Sequence, residues 1–205
     1  MLELPITLRA PRIDEIPNLP KVLENINARE KANIVEGFIL TQNETKDFPF
    51  KFYAEINVNN SRLWKLVILL SEQLPEIVSC IYNFYDNEPK YSKYIKKTTV
   101  LKLLKEYELE LTQDCNIEFG LIFQTDEELI EMFVSETKYI KFWGIDEDEF
   151  RKIMEEYNLF EIQNLNFADE YPKVIEPLKM FNEKAKDTFE VISNLTEKFE
   201  RQIVE

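Results

Sequence analysis

The chain has 205 residues, 44% of them hydrophobic and 13% aromatic, enough to bury a sizeable core without disulfides or metals and too many for intrinsic disorder. Its 39 acidic and 25 basic residues leave a formal charge of −14, and 21 of the acids with only 10 of the bases lie between Thr125 and Glu205. Such a field repels phosphate backbones and anionic lipid, which argues against direct nucleic-acid or membrane binding, and it raises the encounter rate with a cationic partner.

The first residues, MLELPITLRAPRIDEIP, lack a basic stretch leading into an apolar run, so no secretion signal is expected and the reading is cytoplasmic. Leu4 to Leu8 reads as a short strand. Asn18 reads as the N-cap of a helix through Leu19, Val22, Leu23 and Ile26. Ile34–Thr41 and Phe48–Val58, separated by a polar stretch, form a hairpin pattern. Its second arm alternates, with Phe50, Phe52, Ala54, Ile56 and Val58 on one face and Lys51, Tyr53, Glu55 and Asn57 on the wetter one.

Ser61 then reads as the cap of a helix in which Leu63, Leu66, Val67, Leu70 and Leu74 recur at helical spacing. This most apolar window carries Lys65 and Glu72 and stops at Pro75, far short of a bilayer span. Ile77 to Tyr85, apolar on both faces, is the pattern of an interior strand. A lysine-bearing linker leads to a helix marked by Val100, Leu101, Leu104 and Tyr107.

Ile117–Phe123 reads as a strand. Thr125 with Glu128 gives a capping-box pattern that predicts a helix over Asp126–Val134, followed by a strand Tyr139–Trp143. Asp146 and Glu149 repeat the pattern for a helix through Phe150, Ile153, Met154 and Tyr157, and Phe160–Phe167 reads as a further strand. At a 21-residue offset Leu129 matches Phe150, Met132 matches Ile153 and Phe133 matches Met154, which suggests two similar strand-then-helix units. A long amphipathic helix is predicted over about 177–203, with Leu178, Phe181, Ala185, Phe189, Ile192, Leu195, Phe199 and Ile203 as its stripe. The expected fold is therefore a single α+β domain, a central mixed sheet with flanking helices and a long C-terminal helix.

There is no histidine, which removes the commonest general base, the Ser-His and Cys-His pairs and most zinc ligand sets. Three glycines cannot write a phosphate-binding loop, and Cys80 and Cys115 form no C-x-x-C pair. Asp126–Glu128 and Asp146–Glu149 each suit the first turn of a helix better than a metal site. No cofactor or metal is expected. The function that remains is non-catalytic recognition of another protein, a basic one, as by an immunity-type neutraliser of a toxin or an inhibitor of a nucleic-acid-binding protein. The candidate contact residues are Trp143, Asp169, Glu170 and Tyr171 at predicted strand ends, with Asp146, Glu147 and Asp148 in the first turn of the helix that follows Trp143. Two other readings stand beside it: an enzyme using converging carboxylates or a metal bound by Asp and Glu, and a self-assembling component or homodimer docked along Leu178 to Ile203.

Overall fold

The computed structural model describes residues 2–17, 19–45 and 47–202. Its elements run β1 (Leu8–Arg9), α1 (Pro20–Arg29), β2 (Gly37–Gln42), β3 (Phe52–Asn57), α2 (Asn60–Ser71), β4 (Ile77–Phe84), β5 (Lys90–Tyr91) and β6 (Ile95–Lys96). There follow α3 (Lys97–Lys105), α4 (Glu108–Gln113), β7 (Ile117–Gln124), β8 (Leu129–Val134), β9 (Ile140–Gly144), α5 (Glu147–Glu156), β10 (Val174–Ile175) and α6 (Thr188–Arg201). Eight strands make one sheet in the order β2-β3-β9-β8-β7-β4-β5, with β6 also on β4, while β1 and β10 pair separately.

Period-two alternation decides the layers. The inward side chains, among them Phe52, Ala54 and Ile56 of β3, Phe119 and Leu121 of β7, Met132 and Val134 of β8, and Ile140 and Phe142 of β9, are buried in one core cluster. Every apolar residue that α2 to α6 bury joins the same cluster: Leu63, Leu66 and Leu70, Val100 and Leu104, Leu111, Phe150 and Ile153, then Val191, Leu195 and Phe199 among them. Phe150 of α5 sits 5.2 Å from the Phe52 ring and 5.5 Å from that of Phe142, so an aromatic triad pins this helix to the sheet. The helices thus lie on one face, and α1 buries no residue at all.

The fold is the expected α+β class, but several elements are corrected. The sheet is antiparallel at every strand pairing rather than mixed; a lone bridge between Phe38 and Glu161 is parallel. The reason lies in β8: residues 126–134 are a turn and a strand, not a helix, so β7, β8 and β9 follow as a meander with connections too short for a crossover. The two units of the 21-residue repeat therefore differ, one a hairpin and the other a true helix.

Leu4–Leu8 contributes only its last residue to β1. Phe160–Phe167 is irregular apart from the bridge at Glu161. The expected cap Asn18 lies outside the described residues, and α1 starts behind Leu19. At α2 the N-cap is Asn59 rather than Ser61. The C-terminal helix begins only at Thr188, capped by Asp187, whose side chain accepts from the Phe189 N–H. Of the predicted stripe, Leu178 is buried from a short 3-10 turn and Ala185 from irregular chain, Phe181 and Phe189 are exposed, Ile192, Leu195 and Phe199 are core together with Val191, and Ile203 lies outside the described residues. Among the described residues no helix is long and apolar enough to cross a membrane.

Gly120 lies at the middle of β7, and a Cβ there would stand 2.4 Å from the Met132 carbonyl oxygen and 3.2 Å from the Phe133 ring. Phe133 therefore lies over a position only glycine leaves free. Gly120→Ala is expected to cost about 1–3 kcal/mol through forced separation of β7 and β8, read as a lower urea midpoint at unchanged slope.

Candidate functional site

The face of the sheet opposite the helices has a different composition. Register places Ile122 of β7, Glu131 of β8, Trp143 of β9, Tyr53 of β3 and Thr41 of β2 side by side in one row. The adjacent row holds Ile81, Gly120, Phe133, Lys141, Glu55 and Ile39. Leu165 and Phe167 cover one end of this face, where Phe167 packs 4.7 Å from the Tyr139 ring. Beyond them Tyr53, Glu55, Glu131, Phe133, Lys141 and Trp143 are half-buried. Cross-strand neighbours supply that shelter, as in the Tyr53–Trp143 pair with centroids 4.8 Å apart.

Three acids share this surface. Burial pushes the Glu55 carboxyl above its ordinary value, and the neighbouring Tyr53 hydroxyl and Lys141 ammonium only partly oppose the shift. Burial likewise raises Asp169, although its Oδ2 accepts from the Tyr139 hydroxyl at 3.1 Å. The Lys141 ammonium sits 5.3 Å from the centroid of the Tyr139 ring. Tyr53 and Tyr139 are both held neutral, their hydroxyls pushed upward chiefly by burial and further by the nearby carboxylates. Glu131 is raised to about 7 by burial alone.

The sequence-expected contact residues do not converge. Trp143 belongs to the outer face. Asp146 is the N-cap of α5, its Oδ1 accepting from the Glu149 N–H at 3.0 Å. Glu147 accepts from Gln42 at 2.5 Å and pairs with Arg151 at 2.7 Å, and the Gln42 bond first and the Arg151 bond second hold its carboxyl below the ordinary range. Asp148 is exposed beside Lys51 along a shallow groove of about 520 Å³. Asp169 and Glu170 lie at the other end of β9, where Glu170 accepts from the Phe167 N–H at 2.7 Å and closes the turn Ala168–Glu170. Tyr171 follows that turn, partly buried.

Tyr53 and Glu55 were legible as the wetter side of an alternating strand. Glu131 and Phe133 were hidden by the helix reading of residues 126–134, although Ile130, Met132 and Val134 alternate with Leu129, Glu131 and Phe133. Among the described residues no group of three or more acids and cysteines is arranged to hold a metal ion. Cys80 is fully buried, which raises its thiol, and burial does the same to Cys115 beside Asp114. No protein family, curated protein or solved structure matches the chain.

If Asp146 serves the helix rather than a partner, Asp146→Ala will lower stability by about 1 kcal/mol in chemical denaturation while leaving the indole N–H resonance of Trp143 where it was.

Proposed function

We propose that the chain is a non-catalytic protein-binding module that takes a basic protein on the outer face of its sheet. The observation that carries this reading is a sheet surface without helical cover on which an aromatic pair, Tyr53 and Trp143, lies among the partly desolvated carboxylates of Glu55, Glu131 and Asp169. Aromatic anchors among charges are what concentrates binding energy at protein interfaces. The net charge of −14 supports a cationic partner, since it steers oppositely charged molecules and repels anionic ones. An acidic neutraliser that covers the working surface of a toxin or of a nucleic-acid-binding protein is one concrete form.

The test is capture from native lysate at low and high salt, using the wild type and Trp143→Ala, followed by association kinetics with the protein retained. A basic protein bound stoichiometrically is expected, with an association rate that falls as salt rises and at least a tenfold affinity loss (about 1.4 kcal/mol) in Trp143→Ala. An unchanged thermal transition in the variant confines that loss to the interface. A captured protein held equally well by Trp143→Ala, or an association rate indifferent to salt, overturns the reading.

A further inference from the structure

Among the described residues Glu131 differs from Glu55 and Asp169 in its neighbours: a tyrosine hydroxyl and Lys141 oppose the effect of burial at each of those two, and nothing opposes it at Glu131. None of the ion pairs among the described residues involves it, and burial is the sole cause of its shifted titration. Lys141, the basic residue diagonal to it in the register, is drawn to the Tyr139 ring at 5.3 Å. Tyr91 of β5, its hydroxyl raised first by burial and then by the nearby Glu131 charge, supplies no cation. The walls beside Glu131 are the Ile122 side chain on one strand and the Trp143 indole on the other, with Tyr53 behind the indole.

A half-buried carboxylate between an aliphatic and an aromatic wall is matched by one side-chain chemistry in particular. A guanidinium is planar and weakly hydrated, stacks on an indole face, and presents paired N–H donors to a carboxylate. An ammonium supplies the charge without the plane or the fork. We propose that Glu131 and Trp143 together form the receptor for an arginine side chain of the partner, a site that selects arginine over lysine. The proposal rests on the outer face being the binding surface.

Proton linkage gives it a signature. A guanidinium favours the ionised carboxylate, so below about pH 7 binding must release the proton that burial keeps on Glu131. Affinity then rises from pH 6 to pH 8 and levels off once the free carboxylate is ionised. In the unliganded chain the sign is opposite for stability. A carboxyl whose folded pKa lies above its unfolded one contributes full stability below the unfolded value, and that contribution is lost as pH rises through about 7. Glu131→Gln removes this loss, so the variant folds at least as well as the wild type at pH 8.

Capped octa-arginine, octa-lysine and octa-citrulline peptides serve as probes, titrated into the full chain at pH 6 and pH 8, with the Trp143 indole N–H resonance followed in parallel. Octa-arginine is expected to bind at least tenfold more tightly than octa-lysine, to move the Trp143 signal, and to gain several-fold in affinity between the two pH values. Glu131→Gln should abolish both the preference and the pH dependence. Glu156→Gln, which removes the same charge from the exposed surface of α5, should keep both. Equal binding of the two cationic peptides, or equal losses in the two variants, would show that net charge alone is recognised and overturn the proposal. A lysate partner that holds Glu131→Gln as tightly as the wild type would remove the arginine site while leaving the protein-binding reading intact. Arginine selectivity without any lysate partner would do the reverse.

Discussion

The one-sided packing of helices on an antiparallel sheet is the constraint from which the remaining features follow. Phe52, Phe142 and Phe150 close one end of the interlayer space, and Tyr82 against Phe199, with ring centroids 5.4 Å apart, closes the other. Between them α2 supplies Leu63, Leu66, Val67 and Leu70, all fully buried. With all five of these helices on one side, the other side of the sheet has only its own cross-strand neighbours and the segment around Leu165 and Phe167 to shelter it. Large aromatic side chains there cover one another and the strand backbone, a use of Tyr, Phe and Trp that a half-exposed pleated surface favours.

How much of this could be read in advance depended on whether the deciding interaction was local. The helix α5 was legible because its cap and its stripe agree: Asp146 accepts from the Glu149 N–H, and Phe150, Ile153, Met154 and Tyr157 all face inward. Thr125 presents the same local signal. Its hydroxyl accepts from the N–H groups of Glu127 and Glu128 as an N-cap does, yet the Thr125 N–H turns back to the Glu128 carbonyl and the chain closes into a hairpin. What decides is the pairing of Leu129–Val134 with strands on both sides, an interaction between distant segments that the capping residues do not encode. The last helix fails in a similar way: spacings of three and four continue through Leu178, Phe181 and Ala185, but Asp187 caps a new helix, Leu178 is buried from a short 3-10 turn and Ala185 from irregular chain, and Phe181 is exposed. The outer face was legible only where alternation was recognised, at Tyr53 and Glu55, and was lost with β8.

The acidic excess of the second half is sharpened by how its few cations are used. Arg151 is held between Glu147 and Glu161, Lys152 pairs with Glu149, Lys173 with Glu136, Lys198 with Glu106 and Arg201 with Glu197. Lys138 is buried in the turn between β8 and β9, at φ 66°, where its ammonium donates to the Ile117 carbonyl and burial lowers its pKa. Surface pairs of this kind add little stability, but they determine where the field is neutralised.

Partial burial of those carboxylates also changes what association would require of them. An exposed acid gives up its hydration when a partner arrives, a cost that can cancel the attraction gained. Glu131 and Glu55 lose part of that hydration during folding, which is why burial raises both pKa values. The cost then belongs to the stability of the free chain, where the aromatic and aliphatic packing of a large core offsets it. A cation arriving at such a site meets a carboxylate in a medium of lower polarity than water, where the same charge separation is worth several times more. If the outer face binds a partner as proposed, the same desolvation would favour one that brings a cation to that point, because any other would leave the acid to take up a proton or go unpaired as its remaining water is excluded.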